Sequence, residues 1–273
     1  MRKYLYGFLI LLITSASSVY AQTNSKTISK NIAALGFSYS TNLNFYGRTD
    51  SVPCNGLSAT AEIWLSNNAF VSISPSFVSD AYQTMSYSGL SASAGFQKMA
   101  GNWFLSAGAS RSFFTNSSYL SQAVIQNQVY GSAMYFNDYI NLNTGVDLKF
   151  SDQMDVVTTL GIDHSFVKSF KAGGLMMIDP SITLYPGTHY FSRSFLNSKS
   201  YAAVQMELSK FQLLATEFSL PLMYLRNDIF LMMMPSYIIP NNLIQKGNLT
   251  EMGQPQFYVS LSARFKIKKT VNK

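Results

Sequence analysis

The chain has 273 residues, of which 47% are hydrophobic and only 12% charged, with a formal net charge of +7. Soluble domains carry about 25% charged residues, so this surface is poor in charge, and its scattered basic residues leave no nucleic-acid footprint. The single cysteine, Cys54, excludes an internal disulfide and a cysteine-based metal cluster.

Met1 to Ala21 reads as a secretory signal peptide. Arg2 and Lys3 form its basic start, Leu5 to Ile13 its apolar core, and Val19-Tyr20-Ala21 a small-residue cleavage triplet. Cleavage after Ala21 would take the charge from +7 to +5 by removing those two basic residues. Beyond it, no run reaches the ~18 apolar residues of a membrane helix. Residues 22–32 read as a polar periplasmic segment ahead of a barrel over 33–268, with a short tail over 269–273.

From there the pattern is alternation. A strand turns successive side chains to opposite faces. The first strand, Ala33 to Tyr46, sets Leu35, Phe37, Tyr39, Leu43 and Phe45 against Gly36, Ser38, Ser40 and Asn42. After a loop at Gly47 to Asn55, Leu57, Ala59, Ala61 and Ile63 oppose Ser58, Thr60 and Glu62. Ser66-Asn67-Asn68 reads as a tight turn. The third strand carries Val71, Ile73, Pro75 and Phe77, the fourth Leu90, Ala92, Ala94 and Phe96, the fifth Trp103, Leu105, Ala107 and Phe113, each opposite serines and glycines. Thr115 to Met134 reads as a long polar connection. A sixth strand sets Ile140, Leu142, Val146 and Leu148 against Asn141, Asn143, Asp147 and Lys149. Ser151-Asp152-Gln153 turns it into a seventh, with Leu160, Ile162 and Phe166 opposite Thr159, Asp163 and Ser165.

Between Lys168 and Phe211 the pattern weakens. Ile178 to Leu184 reads as an eighth strand ended by Tyr185-Pro186-Gly187. Thr188 to Leu196 is a candidate ninth, and Tyr201 to Phe211 a helical or irregular excursion. Phe218, Leu220, Leu222 and Tyr224 then alternate with Glu217 and Ser219. A turn at Leu225 to Asp228 leads to Ile229–Ile239, nearly all apolar, and Asn241 to Pro255 is a final loop. The closing strand is the cleanest. Phe257, Val259, Leu261, Ala263, Phe265 and Ile267 share one face, Tyr258, Ser260, Ser262, Arg264 and Lys266 the other.

These strands point to an all-β protein, a closed antiparallel transmembrane β-barrel of about 12 strands, or 10 if the region 168–211 is a single loop. It would have short periplasmic turns and longer extracellular loops, apolar outside and polar within. Trp64 and Trp103 near strand ends fit the interfacial aromatic girdles. Pro75, Pro180, Pro221 and Pro235 fall inside strands, where proline removes a ladder bond; they read as a recurring bulge, or as kinks shaping a lateral opening.

Glu217-Phe218-Ser219-Leu220-Pro221, Met234-Pro235-Ser236-Tyr237-Ile238-Ile239-Pro240 and Phe257-Tyr258-Val259-Ser260-Leu261 resemble outer-membrane β-barrel proteins of Bacteroidota-type bacteria. Gln22 after the cleavage site fits the same group. The resemblance implies a barrel in the outer membrane and no particular activity. The chain departs from the common barrel ending, closing on Lys273 with Phe265 as the counterpart of the terminal aromatic.

Little chemistry stands out. A lipid hydrolase would need a serine and a histidine together. His164-Ser165, read near the outer end of the seventh strand, is the remote candidate, although His164 shares the parity of lipid-facing residues. His189 reads as a loop residue. Two histidines give no metal-ligand spacing, and no cofactor is expected. Glu62, Asp147, Lys149, Asp163, Glu217, Arg264 and Lys266 are the charged candidates for the lumen and its selectivity. The expected function is passage or binding of a small solute through a narrow lumen, with a structural or surface-interaction barrel as the alternative. Outer-membrane lipid and, during biogenesis, the barrel-assembly machinery are the expected partners.

Overall fold

The structure, a computed structural model, describes residues 32–49, 52–65, 68–115, 125–171, 173–196, 204–246 and 249–267. The expected signal peptide, the segment before Ile32, the tail after Ile267 and most of the expected Ser66–Asn68 turn lie outside these residues.

Twelve antiparallel staves close into one ring. They are β1 (Ile32–Ser40), β2 (Asn55–Leu65), β3 (Ala69–Ser79), β4 (Ser86–Ala100), β5 (Trp103–Phe114), β6 (Asn127–Tyr135) and β7 (Asn141–Phe150). Three bent staves follow, each in two segments: β8 (Met154–Asp163 and Phe166–Ser169), β9 (Leu175–Ile178 and Ser181–Gly187) and β10 (Gln212–Ser219 and Leu222–Arg226). β11 (Ile229–Pro240) and β12 (Gln256–Ile267) complete the wall. Closure is made by β12, which pairs with β11 on one side and with β1 on the other, from Ala33↔Ile267 to Ser40↔Ser260. A closed ring leaves no backbone edge exposed to lipid, which is why alternating sequence of this kind can cross a membrane.

The alternation sorts the side chains as the sequence predicts. Leu35, Phe37, Ile63, Ile73, Leu105, Leu142, Leu160, Leu231, Phe257 and Leu261 stand exposed on the outer wall. Their neighbours, Ser38, Ser58, Thr60, Ser74, Ser106, Asn143, Thr183 and Ser260, are buried on the inner face. Apolar exposure of this extent is stable only against hydrocarbon.

Several expectations are corrected. Thr115 to Met134 is not one connection, because β6 runs through it. Val129, Gly131 and Ala133 face outward there, too small a set to register as a hydrophobic stripe. Thr188 to Leu196 is no strand; it holds a 3-10 helix, Tyr190–Phe195. The count of twelve therefore stands with one stave exchanged for another. Tyr185-Pro186-Gly187 does not turn the chain, since β9 runs through it with a bulge at Tyr185/Pro186. β1 ends at Ser40, so Leu43 and Phe45 leave the wall. The added stave also reverses β7 and β8, which puts the 151–153 turn at the outer end and His164 near the inner end.

The remaining connections sort by length. Those at 101–102, 136–140, 170–174 and 227–228 are short and share the end where β1 begins, the inner end. Those at 41–54, 188–211 and 241–255 are long and share the other. Gly101, at φ +59°, supplies the left-handed residue of the two-residue turn between β4 and β5.

Three of the four in-strand prolines fall on one line. Pro180, Pro221 and Pro235 lie on the adjacent staves β9, β10 and β11. Each keeps its carbonyl in the ladder, accepting from His164 N (3.3 Å), Asp179 N (3.0 Å) and Leu220 N (3.0 Å) in turn. The missing prolyl N–H groups bend the staves there, which is why β9 and β10 divide at that level. Pro75 instead sits in an unbroken stave beside a bulge at Ser76/Phe77.

Candidate functional site

Among the described residues, the lumen and its outer mouth gather polar side chains away from lipid. Its inner third is bulky. Glu62 on β2 and Arg264 on β12 form a buried ion pair, and the Trp64 indole N–H donates to the same Glu62 carboxylate. Trp64 therefore faces the lumen, its ring tilted against Phe70 at 5.2 Å, and is not part of the girdle. It shares the parity of Thr60 and Glu62, which a strict reading of β2 would have revealed. Trp103 is on the outer wall, beside Tyr135 at 5.0 Å, as a girdle residue should be. At the same level Asp163 accepts from the side-chain amides of Asn141 (3.1 Å) and Asn143. Met177, Met223 and Phe230 pack together across β9–β11.

The middle third is lined by hydroxyls. They pair between neighbouring staves: Ser38 with Ser58 (2.6 Å), Ser40 with Ser260 (3.2 Å), Thr60 with Ser74 (2.9 Å), Ser91 with Ser112 (2.8 Å), and Ser181 with Ser219 (2.7 Å). Inward glycines widen this zone or admit a larger neighbour. A Cβ at Gly108 would lie 2.5 Å from the Tyr130 hydroxyl oxygen, so that ring has its place only because Gly108 has no side chain.

At the outer third, Glu217 accepts from the hydroxyls of Tyr185 (3.2 Å) and Tyr258 (2.7 Å). Lys149 pairs with Asp147 at 3.3 Å and lies over the rings of Phe45 (5.9 Å) and Tyr46 (5.6 Å). Those rings belong to the loop between β1 and β2, which folds in over the mouth and packs on Phe191 of the 3-10 helix. Burial pushes the Tyr46 hydroxyl up to about 12, so it stays neutral at any physiological pH. Asp155 accepts from the backbone N–H groups of Tyr190 (2.6 Å) and Phe191 (2.8 Å), fixing that helix to β8.

Arg48 ties the cap together. Its guanidinium, fully buried, donates to Glu251 (2.8 Å), Tyr46 O (3.0 Å), Leu214 O (2.5 Å) and Asn241 O (3.2 Å). Glu251 in turn accepts from Ile244 N (2.9 Å). His189 is buried beneath the same loops, its Nδ1 facing the Ser192 hydroxyl (3.3 Å) and its Nε2 facing Glu207 O (3.1 Å). Burial holds its imidazole below the ordinary histidine range.

Of the seven charged candidates, Glu62, Asp147, Lys149, Asp163, Glu217 and Arg264 face the lumen and Lys266 shares the parity of Arg264; the structure joins four of them into the pairs Glu62–Arg264 and Asp147–Lys149. Arg48, Asp155 and Glu251 are the residues that sequence reasoning missed. Arg48 and Glu251 are 203 positions apart, in loops without periodicity, and only the folded mouth brings them together. His164 and Ser165 do not form a pair. His164 Nδ1 lies 2.5 Å from Tyr139 O, and Ser165 Oγ donates to the Met177 sulfur at 3.3 Å.

A closed, even-numbered antiparallel ring with a lipid-facing belt and a polar lumen defines an integral β-barrel of the outer-membrane kind. No family model and no curated protein sequence matches the chain. Its fold is similar to that of the KdgM porin (TM-score 0.50, 9% identity, covering 86% of this chain and 99% of that one). It is also similar to the β domain of the Bordetella autotransporter BrkA (0.50, 9%, 88% and 100%). The COG4313 outer membrane channel from Pseudomonas putida F1 aligns at 0.48 with 10% identity, over 89% and 97%. At such identities the likeness is one of fold.

Proposed function

We propose that this barrel is a narrow outer-membrane channel that passes or binds a small solute. The observation that carries the reading is the lumen lining: serine, threonine and glycine fill the middle of the inward face from β1 to β5, where a barrel with a packed interior would carry large side chains. Twelve staves fall between the eight whose interior side chains can fill and the sixteen or more that leave a wide pore. The test is single-channel conductance of the refolded protein in a planar bilayer. Discrete, reproducible openings support the channel.

A second reading is a surface-interaction barrel, favoured by the Arg48 cap that binds three stretches of the outer mouth together. Silence in the bilayer from protein whose heat-modifiable migration proves folding would favour it. Lipid hydrolysis at His164 is the weakest reading, since His164 and Ser165 engage different partners; unchanged lipid turnover in His164→Ala would dispose of it. Export with cleavage after Ala21 rests on the signal-peptide pattern of Met1 to Ala21, and the family resemblance supports a Bacteroidota-type origin and insertion by the barrel-assembly machinery through the closing strand.

A further inference from the structure

We propose that the lumen is built for neutral, polyhydroxylated solutes, of the class of short uncharged oligosaccharides, and against polyanions; the inference rests on the channel reading above. Recognition of a polyanion needs a run of cations whose donors are open to it, arginine forks above all. Here Arg264 is held by Glu62, Lys149 lies against Asp147, and Arg48 in the cap is held by Glu251. Each of these three cations meets its carboxylate within the wall or the cap.

The sign of the field agrees. Asp155, Asp163, Asp179 and Glu217 also face inward, so the lumen-facing residues named here carry more carboxylates than cations and repel an approaching anion. Three of those carboxylates already receive donors: Asp155 from two backbone N–H groups, Asp163 from two asparagines, Glu217 from two tyrosines. A cationic solute would have to compete for them.

What remains in quantity is hydroxyl. A serine or threonine hydroxyl both donates and accepts and rotates to suit its partner. A sugar presents the same dual groups around its ring, so each hydroxyl pair in the wall can exchange one wall bond for one solute bond. Tyr130 adds an amphipathic ring on the same face, on which the less polar face of a sugar can rest.

The experiment is uptake by proteoliposomes, read as swelling rate, with maltotriose against trigalacturonate, which match in ring number and differ in charge. Entry of maltotriose at least tenfold faster is expected. In Glu62→Gln/Asp147→Asn, which releases Arg264 and Lys149 from their partners, trigalacturonate entry should rise severalfold. In Glu62→Gln/Arg264→Gln, which removes one pair without changing net charge, the preference should persist. Heat-modifiable migration certifies that each variant is folded. Equal or faster entry of the uronate into wild-type vesicles overturns the inference while leaving a channel. Entry of neither sugar, together with no conductance from folded protein, overturns the channel reading and this inference with it.

Discussion

Arg48 gathers four acceptors into a site with no access to water, and that concentration makes it the residue on which the cap depends. Removing one partner of a buried ion pair costs about 3–5 kcal/mol, because the other charge is stranded. Arg48→Ala should therefore loosen the three outer loops, seen as faster protease cleavage of reconstituted protein from the outer side and as a higher open probability in the bilayer. Arg48→Lys should not restore protection, since an ammonium lacks the planar fork that spans Glu251 and the Leu214 and Asn241 carbonyls. His189 makes the same cap sensitive to acid. Burial favours its neutral form, with Glu251 opposing and Arg48 reinforcing that effect. Its folded value lies below the ordinary ~6.5, so the opened cap binds the proton first. The stability is present above about pH 6.5 and is lost as pH falls below it. Loop protection measured from pH 7.5 to 5.5 should fall in the wild type and stay flat in His189→Gln. An equal fall in both would show that another group carries the effect.

At the scale of the element, legibility followed the outward face. β12, β2 and β7 could be read residue by residue because apolar side chains, with leucine, isoleucine or phenylalanine in each stave, dominate the alternate positions facing lipid. β6 could not, for its outward set is Val129, Gly131, Ala133 and Tyr135, and its lumen side carries Tyr130 and Met134, so the contrast between faces is lost. β9 and β10 were legible across Pro180 and Pro221, but their extensions at 175–177, 185–187 and 212–216 were not. Among site residues the charged members were legible, being polar at lumen parity, but their partners were not; pairing is a matter of register between staves, and an isolated strand carries no sign of it. Two glycines test this account. A Cβ at Gly131 meets nothing within 4 Å, so Gly131→Val should strengthen the lipid-facing side of β6 by up to about 1 kcal/mol, read from the urea refolding midpoint. Gly108→Ala, one stave away, should destabilise, because its methyl meets the Tyr130 ring and the Ala94 carbonyl oxygen at 2.8 Å. Opposite signs from two small additions on neighbouring staves are expected only if one faces open hydrocarbon and the other a filled approach.

For the whole molecule, the decisive bond is between its ends. β1 and β12 are neighbours in the ring and lie at opposite ends of the chain, so this pairing comes last in sequence and closes the largest loop. Until it forms, two edges of unpaired N–H and C=O groups would face lipid, at several kcal/mol for each unsatisfied group. Ala263 stands at the centre of this closure, opposite Phe37 on β1 and Leu231 on β11. Its methyl is small and lies on the lipid-facing side, so replacing it alters little in packing. Ala263→Pro should nonetheless abolish the heat-modifiable band of folded barrel, because a proline in a stave paired on both sides removes a ladder donor and clashes with the wall. Ala263→Val, of similar bulk and high strand propensity, should fold like the wild type. If both variants folded, β12 would absorb the lost donor as β3 and β11 absorb Pro75 and Pro235. If both failed, the fault would be crowding at Ala263 and not the lost backbone bond. Failure of the proline alone is the result expected where the ladder runs unbroken on both sides, as it does through Ala263.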